Sequence, residues 1–225
     1  MIIGSNFILL NSLITILTGY LIKGLENSIT KAQKHMEEIS LTQEVTIEGL
    51  STIVEYRDPE TGGHILRTQN YVKVLATHLK NTPKYFGKID QEYIDLLYKS
   101  SPLHDIGKVA VPDYILLKTS QLTKSEFEQM KKHTTYGRNA LLNVEQKLGD
   151  NNFLRYAREM AYSHHEKWDG SGYPLGLQGD NIPLSGRIMA IADVYDALIS
   201  RRVYKAPLPH ETAVDLIKEN RGMHF

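Results

Sequence analysis

The chain contains no cysteine, and this absence excludes several kinds of chemistry at once. Without thiols there is no disulfide, no thiolate metal ligand and no cysteine nucleophile. The lack of disulfides fits a reducing compartment. Any metal site in this protein must therefore use histidine, aspartate and glutamate, and the 225 residues include nine histidines.

Net charge is also missing, because 26 lysines and arginines are balanced by 26 acidic residues. A chain without an overall positive charge has no diffuse basic field, so bulk nucleic-acid binding is not expected. The length of 225 residues is enough for one sizeable domain with extra elements at its ends.

Strand patterns, internal repeats and low-complexity tracts are absent from the sequence as well. Apolar residues recur instead at helical spacing, which predicts an all-α fold. Thr123 and Glu126 form a capping box, and His133 is expected to close the helix that begins there. Ser185 is expected to cap a strongly apolar helix over residues 187–199. Residues 166–184, rich in glycine and proline, form the one long loop.

The first 22 residues carry no charge and are rich in isoleucine and leucine. This length fits a helix that spans a bilayer, and Lys23, Lys31 and Lys34 would then hold the following domain in the cytoplasm, at the inner membrane. The alternative is a buried or dimerising amphipathic helix, which makes a homodimer an expected partner arrangement.

The composition of residues 23–48 predicts a polar helical connector. The heptad spacing of its apolar residues is too irregular to predict a dimer by itself. Residues 49–225 form the main domain. The chain stops at Phe225 without a polar tail or a helix cap, so we expect a truncated C-terminal end.

Metal-capable side chains stand at or beside the predicted helix ends. They are Glu60, His64, His104, Asp105, His133, His164, His165 and Asp193. Asp193 lies in an otherwise apolar helix, where a carboxylate is costly unless it is paired or binds a metal. Taken alone, Asp193 could instead pair with Arg187 or Arg201, and Glu60 could be an exposed turn residue.

Several histidine and aspartate ligands from separate helices are typical of a multinuclear site without thiolates. Such sites hold phosphoryl oxygens and activate water for in-line attack on phosphorus. Lys108 follows Asp105 by one turn and could neutralise phosphate charge or protonate the leaving alkoxide.

Three stretches carry a resemblance to a known family. They are His104-Asp-Ile-Gly-Lys108, His164-His-Glu-Lys-Trp-Asp-Gly-Ser-Gly-Tyr-Pro174 and Asp193-Val-Tyr-Asp-Ala-Leu-Ile-Ser-Arg-Arg-Val-Tyr-Lys205. In this order they resemble the HD-GYP subfamily of the HD superfamily of metal-dependent phosphohydrolases, over roughly residues 45–225. The resemblance implies an all-α HD-domain helical bundle that hydrolyses cyclic di-GMP or a related cyclic dinucleotide, to the linear dinucleotide or to GMP.

The resemblance also implies roles for individual residues. The eight metal-capable residues named above would hold two or three divalent ions, iron or manganese before zinc, nickel or cobalt. Glutamate at position 60 resembles the three-metal class. Asp105 would bridge two metals, Lys108 would contact the scissile phosphate, and Arg202 and Lys205 would grip its oxygens. Tyr173 would shape the substrate groove, or its loop would contact a diguanylate cyclase domain.

Two other functions stay open at this level. The domain could bind cyclic di-GMP or a partner without cleaving the nucleotide, which the loss of a ligand would favour, and no ligand is lost. It could also be an HD-type hydrolase of another nucleotide such as (p)ppGpp, although the Gly-Tyr-Pro loop and the paired histidines argue against that.

Overall fold

The computed structural model describes residues 2–57, 63–149, 151–201 and 206–225. Its α-helices are α1 (Ile2–Arg57), α2 (His64–Lys80), α3 (Gln91–Ser100), α4 (Asp113–Leu116), α5 (Lys124–Met130), α6 (Lys132–Leu148), α7 (Asn152–Ser163), α8 (Leu184–Ile199) and α9 (His210–Glu219). The described residues contain no strand, only an isolated bridge between Asp169 and Gln178. The predicted all-α fold class is therefore confirmed.

The contacts divide the chain into two units, Met1–Thr46 and Ile47–Phe225. The first unit belongs to α1, and its large apolar side chains from Leu13 onward are exposed. No helix in the described part of the chain is long and apolar enough to cross a membrane. The structure thus gives no support to the bilayer anchor expected over residues 1–22.

The second unit has its main core between α2, α3, α7 and α8. The buried side chains include Val72, Ala76, Ile94, Leu97, Met160, Ile188, Met189 and Ala192. Their three- and four-residue spacing within each helix places them on one face, as the apolar periodicity predicts. Each fully buried large apolar side chain of this kind contributes about 1.5–3 kcal/mol to folding, so this core fixes the helices that carry the site.

A smaller core lies between α6, α7 and the short 3₁₀ helix Ser101–Leu103. It contains Leu103, Leu141, Leu154, Ala157 and Ala161. The neighbouring 3₁₀ helix Ile106–Ala110 approaches α6 so closely that a β-carbon on Gly107 would collide with backbone atoms of His133 and Gly137. Only glycine permits this approach, which holds the chain next to Asp105 against α6.

Helix starts and ends agree with the sequence in some places and not in others. The capping box at Thr123 and Glu126 is present. The expectation that His133 closes that helix is wrong, because α5 ends at Met130 and His133 lies in the first turn of α6. Only Lys131 separates α5 from α6, and so the sequence did not indicate where one helix ends and the next begins.

The predicted cap of α8 is also wrong. The helix begins at Leu184, after Pro183, and has no side-chain cap. Ser185 is fully buried within its first turn, and its hydroxyl donates to Glu159 at 2.7 Å. A tertiary contact has therefore taken the hydroxyl that the sequence assigned to a local cap.

Candidate metal centre

Helix ends bring most of the predicted ligands together. His64 begins α2, the His104-Asp105 pair links two 3₁₀ helices, His133 lies in the first turn of α6, and His164-His165 follow α7. Two groups of potential ligand atoms result, each within 4.8 Å of one another. We call Asp105, His133, His164 and His165 the histidine-rich group, and His64, His104 and Asp105 the His64 group. Asp105 belongs to both.

Backbone carbonyls fix the orientation of three imidazole rings. The Nδ1 atoms of His104, His133 and His164 lie 2.9, 2.8 and 2.9 Å from the carbonyl oxygens of Ser101, Met130 and Met160. A carbonyl oxygen can only accept, so each Nδ1 carries the proton and donates. In the neutral ring the lone pair is then on Nε2, which is the atom that faces the cluster.

These Nε2 atoms meet other electron-rich atoms. His133 Nε2 lies 3.3 Å and His164 Nε2 lies 3.6 Å from Asp105 Oδ1, and His64 Nε2 lies 3.3 Å from His104 Nε2. Asp105 Oδ1, His133 Nε2 and His164 Nε2 are buried without a hydrogen-bond partner among the described residues. Such buried orphan atoms are costly unless a cation lies between them. The cluster therefore fits a divalent metal.

Burial keeps two of the histidines neutral, as metal ligation requires. Burial together with the neighbouring His164 and Lys108 lowers the pKa of His133 to about 4. Burial, His164 and His133 hold the pKa of His165 well below its usual value. Both rings therefore present unprotonated nitrogen atoms at neutral pH.

Asp105 is ionised although it lies among buried groups. Burial alone would raise its pKa, but Lys108 and His104 hold the pKa of Asp105 well below its usual range. The Lys108 ammonium lies 2.8 Å from Asp105 Oδ2. The ammonium therefore stands directly beside the carboxylate that the two groups share.

His64 is supported by a carboxylate that the sequence analysis did not identify. His64 Nδ1 lies 2.8 Å from Asp196 Oδ2, and Arg67 donates to both Asp196 oxygens at 2.7 and 3.0 Å. Asp196 is fully buried. Despite that burial, the bonds from His64 and Arg67 lower the pKa of Asp196 to about 2. A carboxylate behind the ring orients a metal-ligating imidazole and raises its basicity.

The pKa of His64 moves in the opposite direction from that of His133. Burial alone would lower it, but the bond to Asp196 and the charges of Asp193 and Asp105 raise the pKa of His64 above its usual value. Asp193 Oδ1 lies 3.5 Å from His64 Nε2. Asp193 thus borders the His64 group, whereas Arg187, its suggested ion-pair partner, lies 2.7 Å from Asp180.

A small pocket borders this group at the end of α1. Ser51, Val54 and Glu55 line it, and His64, His104, Asp105 and Lys108 are among its other lining residues. The Glu55 carboxylate accepts from the backbone N–H of His64 at 2.7 Å. The last turns of α1 therefore border the metal-capable residues.

The Gly-Tyr-Pro loop packs on the other side of the cluster. The Tyr173 ring stacks on His165 with 4.7 Å between ring centroids, and Lys131 Nζ lies 5.4 Å from the Tyr173 centroid. The buried Glu166 accepts from the backbone N–H groups of Leu175 and Leu177 at 2.7 and 2.9 Å. Glu166 is thus a loop-fixing residue that sequence reasoning missed, although it directly follows the paired histidines.

Glycine is required where this loop folds back. A β-carbon on Gly172 would collide with the backbone of Glu166 and Lys167. The close approach places Tyr173 beside His165. The remaining predicted site residues, Glu60, Arg202 and Lys205, lie outside the described residues.

The all-α bundle gathers histidines and a shared aspartate from five helix ends, an arrangement that is compatible with a divalent-metal centre. A family profile described as "HD domain" matches residues 49–225. The chain belongs to the HD domain family.

Relatives with known names agree with this assignment. A cyclic di-GMP phosphodiesterase of Vibrio cholerae serotype O1 is 55% identical over 188 residues, which are 84% of this chain and 38% of that protein. A 3'3'-cGAMP-specific phosphodiesterase 2 of the same organism is 43% identical, over 84% of this chain and 34% of that protein. The chain thus spans between about a third and two fifths of the length of these two relatives.

A solved structure shows the same fold. An HDG"Y"P protein from Bdellovibrio bacteriovorus matches with a TM-score of 0.52 and 19% identity, over 81% of this chain and 60% of that one. The resemblance stated from the sequence motifs is therefore confirmed.

Proposed function

We propose that this chain is a metal-dependent phosphodiesterase that hydrolyses cyclic di-GMP to the linear dinucleotide or to GMP. The proposal assigns catalysis to residues 49–225 and a connecting role to residues 23–48. Its support comes from the V. cholerae relative named a cyclic di-GMP phosphodiesterase, with which the chain shares 55% identity. Cyclic di-GMP is the substrate class that this likeness favours.

The observation that carries the proposal is the convergence of imidazole Nε2 atoms on Asp105. His133 Nε2 and His164 Nε2 are buried without a partner among the described residues and face the same carboxylate oxygen. We infer one metal at the histidine-rich group and one at the His64 group, bordered by Asp193, with Asp105 between them. A third metal would need Glu60.

Iron or manganese suits this ligand set, because imidazole and carboxylate bind both ions well. Zinc, nickel and cobalt fit the same donors. When bound, the metals would supply positive charge for the phosphoryl oxygens and lower the pKa of water, so that a hydroxide is available to attack phosphorus at neutral pH. The protein side chains provide the orientation and the remaining charge.

Lys108 acts on the phosphate in this proposal. Its ammonium lies 2.8 Å from Asp105, so a phosphate held by metals beside Asp105 would come within reach of this cation. Lys108 would neutralise charge that develops on the phosphate oxygens or donate a proton to the leaving alkoxide. Arg202 and Lys205 are proposed to grip the other oxygens, and Tyr173 to border the substrate groove.

The test is turnover of a panel of cyclic di-GMP, 3'3'-cGAMP and ppGpp by protein purified without air and analysed for metal. We expect cyclic di-GMP to disappear with release of the linear dinucleotide or GMP, and chelation to stop the reaction. A metal-loaded protein that binds cyclic di-GMP but leaves it intact would contradict the proposal and favour a sensor.

A second substrate has support of its own. The chain is 43% identical to a V. cholerae protein named as specific for 3'3'-cGAMP. A higher kcat/KM for 3'3'-cGAMP than for cyclic di-GMP in the same panel would decide for this substrate. The Gly-Tyr-Pro loop stays a proposed contact for a diguanylate cyclase domain, testable by co-purification with and without Tyr173→Ala.

A further inference from the structure

The last two turns of α1, residues 51–57, belong to the unit that contains the candidate metal centre. They pack inward through Ser51 and Val54, which are buried. Two charged side chains of the final turn, Glu55 and Arg57, bind separate segments of the same unit. With 3.6 residues per turn, side chains two positions apart point to nearly opposite sides of a helix. Glu55 and Arg57 therefore extend from α1 in different directions.

Glu55 supplies a hydrogen bond that the start of α2 cannot obtain locally. The first N–H groups of a helix have no partner within it, and an ordinary cap side chain reaches the second or third of them. His64 is the first residue of α2, and Gly63 at the cap position has no side chain. The Glu55 carboxylate, nine residues earlier, accepts from the backbone N–H of His64 at 2.7 Å. A negative charge at a helix N-terminus is also favourable.

This bond fixes the backbone of a candidate metal ligand. His64 is held at two points, since Glu55 binds its N–H and Asp196 Oδ2 lies 2.8 Å from its Nδ1. Asp196 orients the ring, but the location of the whole residue depends on where α2 begins. Glu55 therefore holds the point from which His64 Nε2 extends to within 3.3 Å of His104 Nε2.

Arg57 binds the segment that follows Lys108. Its guanidinium donates to the carbonyls of Val109 and Val111 at 2.6 and 3.5 Å and to the Asp113 carboxylate at 2.5 Å. Val109 directly follows Lys108 in a 3₁₀ helix. The last carbonyls of a helix lack internal partners, and a guanidinium fork can serve several acceptors at once. Arg57 thus holds the backbone that carries Lys108 against the end of α1.

The end of α1 therefore contacts both the start of α2 and the Lys108 segment. Glu55, His64 and Lys108 are among the residues that line the small pocket at this place. Groups that act together on one substrate must keep their distances, because a misplacement of about 1 Å can cost about 100-fold in rate. Two side chains of one helical turn are suited to keep the distance between a metal ligand and a phosphate-binding cation.

We propose that Glu55 and Arg57 are positioning residues of the metal centre. Glu55 fixes His64, and Arg57 fixes the segment that carries Lys108. The part that concerns His64 rests on the metal centre alone, whereas the part that concerns Lys108 rests on the proposed function. Neither side chain contacts metal or substrate in this proposal, and each acts through the residue that it holds.

Binding of Mn²⁺ to the metal-free full chain tests Glu55 without any turnover. We expect Glu55→Ala to weaken the binding of one metal about 10-fold, as loss of a supporting residue does. Glu55→Gln should bind Mn²⁺ nearly as the unmodified chain does, since an amide oxygen accepts the same bond. Glu48→Ala, also on α1 and exposed, is the matched control.

The two Glu55 variants separate a positioning residue from a ligand. Equal losses in Glu55→Gln and Glu55→Ala would mean that the carboxylate itself binds the metal, and would overturn the proposal. Unchanged Mn²⁺ binding by Glu55→Ala would overturn it as well. The thermal midpoint of each metal-free variant shows whether a loss comes from unfolding.

Arg57 is tested on whichever cyclic dinucleotide the chain hydrolyses. We expect Arg57→Ala to lower kcat about 10-fold with KM and bound metal unchanged, a fraction of the loss that a 1 Å misplacement causes. Arg57→Lys keeps one donor for the Val109 carbonyl and should recover part of the rate. Asp113→Ala removes only the ion pair with a 69% exposed carboxylate, so it is the control and should keep full kcat.

A double substitution shows whether Arg57 acts through Lys108. In a Lys108→Gln background, Arg57→Ala should lower kcat little further, because the group that Arg57 positions is already gone. A further 10-fold loss in that background, or the same loss in Asp113→Ala, would overturn the role of Arg57. A chain that hydrolyses no cyclic dinucleotide would refute the proposed function and with it the Lys108 part, while the Mn²⁺ titration still decides on Glu55.

Discussion

The two groups of the candidate metal centre differ in how their histidines are held. In the histidine-rich group, backbone carbonyls orient His133 and His164, and burial lowers the pKa of His133 to about 4. In the His64 group, a backbone carbonyl orients His104 as well, but the buried Asp196 carboxylate orients His64 and raises its pKa. A ligand kept neutral by burial needs no deprotonation before it binds a metal, whereas His64 gains basicity from Asp196. The two groups should therefore respond differently to substitution.

The largest effect is expected where the two groups meet. Asp105→Ala removes the one carboxylate that belongs to both groups, so we expect loss of bound metal and a fall in turnover of at least about 1,000-fold, since metal charge stabilisation is worth several kcal/mol. Metal analysis and hydrolysis rates measure both losses. Full activity in this variant would refute the proposed mechanism.

Lys108→Gln separates charge at the phosphate from metal binding. We expect a loss of about 100-fold in kcat with the metal content kept, because general acid catalysis or charge neutralisation contributes roughly that factor. Lys108→Arg keeps the charge and should recover part of the rate. A Gln variant that loses its metal would instead show that Lys108 acts through Asp105.

Asp196→Asn should affect only the His64 group. Loss of such a supporting carboxylate usually costs about 10–100-fold in metal affinity or activity, so we expect weaker binding of one metal while the histidine-rich group keeps its own. Metal titration followed by activity measures this.

Asp180→Asn is the control for Asp196→Asn, because Asp180 is exposed and pairs with Arg187 away from the cluster. The thermal midpoint of both variants distinguishes lost metal from lost folding. Equal loss of metal from both groups would mean that Asp196 supports the whole fold and not His64 in particular.

Gly107→Ala is expected to act on stability and concerns how the chain next to Asp105 is held against α6. The added β-carbon meets the backbone of His133 and Gly137, and overpacking of this kind costs about 1–3 kcal/mol. Urea or thermal unfolding measures the loss. Gly24→Ala, where nothing lies near a β-carbon, should instead stabilise its helix slightly.

The candidate ligands could be selected from the sequence alone. His64, His104, Asp105, His133, His164 and His165 stand near predicted helix ends, and the structure brings them together. Local contacts contribute to this convergence, since His104, His133 and His164 bond to carbonyls only three or four residues away. Carbonyls left unpaired at a helix end are available to orient such rings.

The residues that sequence reasoning missed depend on long-range contacts. Asp196 and Asp193 stand in the same apolar run, and only the packing of α2 on α8 makes Asp196 the fully buried one. The sequence predicts Ser185 as a helix cap, but in the structure its hydroxyl donates to Glu159, 26 residues away. Spacing along one helix does not show which polar side chain faces a neighbour.

The sequence by itself determined the helical class and the set of metal-capable residues, because helical periodicity and residue chemistry are local properties. Tertiary structure decided how that set divides into two groups with Asp105 in common, and which carboxylate supports His64. It also decided that Ser51 and Val54 near the end of α1 are buried while Leu50 and Ile53 remain exposed. Burial depends on what packs against a side chain, and that is fixed only when distant segments meet.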